Sequence, residues 1–235
     1  MAPDEADDAR DTFVQIYNAE AWGGGSGVGS ARDATAPYRD VLQRLVRSQD
    51  VAAVVDVGCG DWQLGALVDW STVTYTGLDV VPAVIEANQH RYGQPGVQFE
   101  LADARHAQLP VADLLLVKDV LQHWPNGDIG AFLHTHLDRY RYVLLTNDVA
   151  SVHWPGPVNA DMALGGWRTL DLEVAPFQQP AVWRNDYDVR GEWTKRMLLY
   201  ASKAAQRRSF WSLSALQRLS RTARSGSTRG AGLHR

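Results

Sequence analysis

From Val51 onward, short β-branched or leucine-rich runs, several of them nearly continuously apolar, alternate with segments of helical periodicity, and this restricts the fold more than any other feature. The runs Val51–Val57, Tyr75–Asp79, Val97–Leu101, Leu114–Val117 and Tyr142–Thr146 predict strands. Leu64–Val68, Val81–Arg91 and Ile129–Arg139 between them predict helices. Continuous apolar runs suit strands buried on both faces of a parallel sheet. Parallel neighbours need right-handed crossovers, so the pattern predicts an α/β three-layer sandwich. Lys195–Ala201 closes the sheet, and a further strand is expected near Ala181–Trp183.

The flanks are less regular. Residues 1–12 are polar and predict a mobile start, and Phe13, Ile16 and Tyr17 open a short helix. The glycine-rich stretch Trp22–Ser30 interrupts it, and Tyr38, Val41, Leu42, Leu45 and Val46 mark a second helix. Residues 149–192 are rich in Pro, Gly, Trp and Asn and predict a long loop over the sheet's working edge. One domain is expected over 13–202, followed by a basic extension over 203–235 that is disordered from Ser220.

Composition narrows the class. A chain of 235 residues with 45% hydrophobic residues can bury one substantial core. The single cysteine, Cys59, cannot form an internal bridge, and no apolar run reaches the roughly 18 residues of a membrane span. The acidic start carries no secretory pattern, so a cytoplasmic protein is expected. From Trp193 onward there are ten Lys or Arg and no acid, which against a net charge of −4 leaves −14 on residues 1–192. That acidic body would repel phosphate, so nucleic acid is not expected as a partner.

The sharpest motif is Val54-Val-Asp-Val-Gly-Cys-Gly-Asp-Trp62, where a buried strand ends in Asp56 and Gly58 and Gly60 flank Cys59. Glycines there let the backbone turn tightly and approach a ligand, whose polar groups would meet free N–H donors at a helix start. An ordinary strand-to-helix turn would look the same. Gln63 stands where a dinucleotide fingerprint needs its third glycine, which argues against a nicotinamide or flavin pyrophosphate. Asp79 ends the second strand, 23 residues after Asp56, and Asp103 follows the third. Acids at these successive strand ends can meet a ribose diol and an adenine amino group.

On these residues the sequence resembles the class I S-adenosylmethionine-dependent methyltransferases over about residues 50–148. The resemblance implies a seven-stranded, mostly parallel, Rossmann-like sheet. It implies that Asp56, Gly58 and Gly60 hold the methionine part of S-adenosyl-L-methionine, Asp79 the ribose and Asp103 the adenine. Cys59, Trp62, Val80, Ala104 and Lys118 complete the implied cofactor set. A narrower resemblance, carried by Gly58–Gln63 and Lys118–Trp124, is to small bacterial sugar O-methyltransferases, including mycobacterial enzymes of methylmannose polysaccharide synthesis.

Asp119 and His123 are four residues apart and would share a helix face, so the carboxylate could orient the ring as a general base. A helix-start Asp and a satisfied, partly buried His fit the same spacing. Asn147 and Asp148 end the fifth strand, and Asp148 joins His123 and Asp119 in the candidate catalytic group. Asp119, Asn147 and Asp148 also resemble the Mg2+ ligands of catechol-type O-methyltransferases, with the Asn/Asp order reversed. His153, Trp154, Trp167 and Arg168 are candidate acceptor contacts, because indoles and polar groups together suit a sugar. The glycine loop at 22–30 is either a linker or a flap, with Arg39 near enough to meet the cofactor's carboxylate. His90, His106, His134, His136 and His234 are expected at the surface.

The function that follows is methyl transfer to a sugar or oligosaccharide hydroxyl. The alternatives are N- or O-methylation of a small non-sugar metabolite, or a non-catalytic cofactor-binding protein.

Overall fold

The computed structural model describes residues 3–208. Strands β1 (Ala53–Val57), β2 (Thr74–Asp79), β3 (Val97–Leu101), β4 (Leu114–Lys118), β5 (Tyr142–Ser151), β6 (Trp183–Val189) and β7 (Trp193–Ala201) form one sheet. Its seven strands run in the order β3-β2-β1-β4-β5-β7-β6. Only β7 runs antiparallel to its neighbours β5 and β6. The helices are α1 (Pro3–Asn18), α2 (Ala36–Ser48), α3 (Pro82–Tyr92), α4 (Asn126–His136) and α5 (Lys203–Arg208).

The central strands explain the apolar runs. Val54, Leu114, Leu116, Leu144, Met197 and Leu199 face one core, which α2 covers with Tyr38, Val41, Leu42, Leu45 and Val46. The alternate residues Val55, Val57, Leu115, Val117, Val143, Leu145 and Leu198 face a second core. There α4 supplies Ile129, Phe132 and Leu133, and α1 supplies Phe13. This period of two gives three layers, as expected.

Several boundaries differ from expectation. The helix expected at Phe13 begins at Pro3, and Ala9 is buried, so the polar opening is largely helical. Proline in the first turn and acids near a helix N-terminus favour that start. The glycine segment after β1 leads into a one-turn 3-10 helix at Gly65–Leu67 and not an α-helix. Trp62 has φ +58°, which breaks α propagation, and its ring packs among Tyr75, Tyr92 and Phe99. Strand β6 runs six residues beyond Trp183. Its exposed Arg184, Asp186 and Asp188 alternate with buried Trp183, Tyr187 and Val189, an edge-strand pattern that reads as polar loop. The Ser220–Arg235 tail lies outside the described residues. Among the described residues no helix is long and apolar enough to cross a membrane.

Strand order reverses between β1 and β4, whose crossovers leave in opposite directions. The crevice at such a switch point, beyond the carboxyl ends of the strands, is where open α/β sheets bind ligands.

Candidate active site

A first cavity lies at this switch point. Gly58, Gly60, Asp79, Val80, Asp103, Ala104, Lys118, Asp119 and His123 line it from the strand ends. Phe13 and Tyr17 of α1, with Trp22, Ser26 and Ser30 of the glycine loop, close it from above. The loop is therefore a cover and not a linker. Ser26 Oγ accepts from Asp61 N at 2.8 Å, Ser26 N donates to Asp61 Oδ2 at 3.2 Å, and Tyr17 Oη lies 3.1 Å from Ser26 Oγ. At Gly58 (φ +67°) an added Cβ would sit 2.3 Å from Val120 Cγ2, and at Gly60 (φ +55°) 2.0 Å from Ser26 Oγ. Only glycine fits both positions.

Asp79 is 8% exposed and fixed by two backbone donors, Gly60 N to Oδ2 and Val81 N to Oδ1, each at 3.0 Å. Burial raises its pKa, against those hydrogen bonds. Asp103 faces the same cavity, but Arg105 grips its carboxylate through Nε and Nη2, the latter at 2.7 Å. Arg105 is the residue that aims Asp103, and the sequence reading missed it.

Other candidates sit elsewhere. Asp56 does not line the cavity; its Oδ2 accepts from Tyr75 Oη at 2.6 Å, and burial pushes its pKa up to about 7. Cys59 lies behind the turn against Gly77 and Asn88, and Trp62 belongs to the core. Arg39 turns away, donating to Arg32 O at 2.8 Å and Thr35 Oγ1 at 3.3 Å. The expected free N–H donors of the glycine turn are also engaged, Gly58 N and Cys59 N to Leu78 O and Gly60 N to Asp79. Two cations, Arg105 and Lys118, line the cavity wall, and Lys118 Nζ reaches Gly29 O at 3.0 Å.

A second cavity opens beside the first, and Trp22, Ser26, Asp119 and His123 line both. Trp167, Trp193, Gln122, Asp148, His153 and Lys195 complete its wall. His123 is 7% exposed, with Trp22 5.0 Å and Phe13 6.5 Å from its ring centre. Its Nδ1 lies 2.7 Å from Gly166 O, so Nδ1 carries the proton and Nε2 is left as an acceptor. Burial lowers the His123 pKa to about 4, outweighing that hydrogen bond. The shared helix face expected for Asp119 and His123 does not exist. Asp119 has φ +59°, and His123 ends a separate 3-10 turn, Leu121–His123. Gly166, and not Asp119, orients the ring.

Asp119 instead joins an ion network. Lys195 Nζ donates to Asp119 Oδ1 and to Asp148 Oδ1, each at 2.8 Å, and Lys118 Nζ bonds Asp119 Oδ2. Gln122 Nε2 donates to Asp148 Oδ2 at 3.0 Å, and Trp167 Nε1 reaches the same oxygen at 3.4 Å. The two lysines overcome burial and hold Asp119 at about pKa 2. Burial and the Asp119 charge raise Asp148.

The expected Mg2+ ligands do not converge. Lys195 takes the place between Asp119 and Asp148, while Asn147, next to Asp148 on β5, faces the other side of the sheet. Among the described residues no cluster of His, Cys, Asp or Glu fits a metal ion. Arg168 is also displaced from its expected role. It is fully buried and holds Leu121 O and Asn126 Oδ1, bracing the turn that carries His123. Trp154 does not line the cavity but stacks edge-on against Trp167, centroids 6.0 Å apart. His153 sits at the rim, paired with Glu192 at 2.7 Å.

The family profile of O-methyltransferase domains matches residues 29–162. The chain belongs to that family. It carries a methyltransferase domain of that family. A malonyl-[acyl-carrier protein] O-methyltransferase of Acetivibrio thermocellus is 30% identical over 79 residues, 33% of this chain but only 28% of that protein. Two solved structures share the fold. The 1,6-didemethyltoxoflavin-N1-methyltransferase of Burkholderia thailandensis has a TM-score of 0.64 at 19% identity, covering 86% of this chain and 92% of that one. The magnesium protoporphyrin IX methyltransferase of Synechocystis PCC 6803 has a TM-score of 0.60 at 14% identity, covering 85% and 100%.

Phe13, Tyr17, Trp22 and Ser26 line the first cavity although no strand-end motif marks them. The aromatic spacing before a glycine run was their one signal. Gln122 and Lys195 had none, because Gln122 meets Asp148 only through the turn after β4 and Lys195 only through the pairing of β5 with β7.

Proposed function

We propose that the first cavity holds S-adenosylmethionine and the second a small hydroxylated acceptor, a sugar or another polyol, which is methylated on oxygen. The observation that carries this reading is the shared wall, where His123 touches both cavities. The Synechocystis structure carries bound S-adenosylhomocysteine, and the Burkholderia structure carries it together with 1,6-didemethyltoxoflavin, which supports the division into two sites. Gly58 and Gly60 leave room for close approach, Asp79 offers its remaining lone pairs to a ribose diol, and Lys118 is the cation nearest the flap.

When bound, the cofactor supplies a methyl whose bond to sulfur breaks as the new O–C bond forms, the electron pair staying with the thioether. The chain's residues place the acceptor and take its proton. His123 Nε2, fixed by Gly166 and neutral above about pH 4, accepts the hydroxyl proton. Phe13 and Trp22 exclude water around it. Trp22, Trp167 and Trp193 offer apolar faces beside the polar edges of Gln122 and Lys195, the combination a sugar ring requires.

Incubation with methyl-labelled S-adenosylmethionine and a panel of sugars, polyols, phenols and amines tests this. Label recovered on a polyol oxygen supports the reading. Label recovered on nitrogen, or on a phenol alone, replaces the acceptor class.

A further inference from the structure

Lys195 is the least expected group in the acceptor cavity. It stands on β7, opposite Asp148 of β5 and Tyr187 of β6, and its side chain is 4% exposed. Two of its ammonium protons go to Asp119 Oδ1 and Asp148 Oδ1. The third has no acceptor among the described residues, although Lys195 lines the cavity wall. The charge is already paired with two carboxylates, so the remaining N–H is a donor that an oxygen in the cavity can take. The carboxylates cannot drift away from Lys195. Asp119 is also held by Lys118, and Asp148 by Gln122 and Trp167.

We propose that Lys195 is a specificity residue whose free N–H receives a second oxygen of the acceptor, one next to the hydroxyl that is methylated. This rests on the reading of the second cavity as the acceptor site. His123 Nε2 takes a proton there and Lys195 gives a hydrogen bond, so one cavity reads two oxygens of opposite demand. The charges of Lys118 and Lys195 balance those of Asp119 and Asp148. A carboxylate or phosphate on the acceptor would add an uncompensated buried charge, so the second oxygen is a neutral hydroxyl. The acceptor class is therefore a neutral vicinal diol, and the fixed ammonium does the positioning that a divalent ion does in a metal-dependent site.

The test compares methyl hexopyranosides and myo-inositol with analogues lacking one neighbouring hydroxyl, on the wild type and on Lys195→Met. The wild type is expected to lose about tenfold to a hundredfold in kcat/KM on the matching deoxy analogue, the worth of a hydrogen bond to a charged donor. Lys195→Met should treat diol and deoxy acceptors alike, with S-adenosylhomocysteine affinity unchanged, and Lys195→Arg should recover part of the discrimination. If Lys195→Met does not fold, Lys195→Met with Asp148→Asn removes both charges and carries the same comparison. Equal discrimination by variant and wild type overturns the role of Lys195 and leaves the methyltransferase reading standing. Loss of wild-type activity on adding EDTA also overturns it. No label transfer to any diol, with S-adenosylhomocysteine still bound, overturns the acceptor reading itself.

Discussion

Burial holds the imidazole of His123 neutral, with a pKa near 4 in place of 6.5. As the general base it is competent wherever it is deprotonated. Turnover should therefore be flat from about pH 5 to pH 8 and fall only as pH drops through about 4. A pH–rate series on the identified acceptor checks this, and an inflection near neutrality would contradict it. A second histidine gives a stability prediction of the same sign. His136, expected at the surface, is 4% exposed against Phe132, with its pKa lowered to about 4 by burial. The unfolded ring binds a proton below about 6.5 and the folded ring only near 4, so His136 costs stability as pH falls through that window. His136→Phe should gain on the wild type by up to about 1.4 kcal/mol per pH unit between those values, read from urea melts at pH 7 and pH 5. A gap independent of pH would count against it. At this scale the sequence made Asp79 and Asp103 legible as acids at strand ends, whereas His123 was singled out by a helical spacing to Asp119 that the fold does not have. The sequence hid Lys195 and Arg105, whose partners are set by strand pairing and by a turn. It also misassigned Arg168, since a buried arginine in a polar loop looks no different from a free one.

Among the elements, the turn after β1 and the cover formed by α1 and residues 22–30 decide access to the cofactor cavity. Gly58→Ala puts a side chain on left-handed backbone, costing about 1–2 kcal/mol before its contact with Val120 is counted. Thermal melts should show that loss, and S-adenosylhomocysteine affinity should fall with it. Adding Val120→Ala should restore part of the affinity, and an unchanged affinity in the single variant would mean the turn is remote from the ligand. The cover makes a separate prediction. Ser26 and Asp61 tie it to the turn, so bound S-adenosylhomocysteine should slow amide exchange across Trp22–Ser30. Exchange there that is unaffected by the ligand would return the segment to the status of a linker. Strands β1, β2 and β4 were readable from their apolar runs and α2 from its strong apolar period, whereas α3 and α4 are weakly amphipathic and were legible mainly through their place between strands. The edge strand β6 was not, because its charged outward face masks the alternation. The first helix was placed too late because a helix rich in acids at its N-terminus reads as solvent-exposed chain.

Across the whole molecule, two cores clamp the sheet, and the β1–β4 switch point brings the two cavities together at one imidazole. The α/β class followed from alternation alone, whereas the antiparallel pairing of β7, which delivers Lys195, needed the three-dimensional arrangement. We propose that methyl transfer occurs across this shared wall with His123 as base. Single-turnover transfer by His123→Ala, at saturating labelled cofactor, measures it most directly. Turnover should fall about 10²- to 10⁴-fold while S-adenosylhomocysteine still binds, as expected for removal of a general base. Near-wild-type turnover in that variant would contradict the claim.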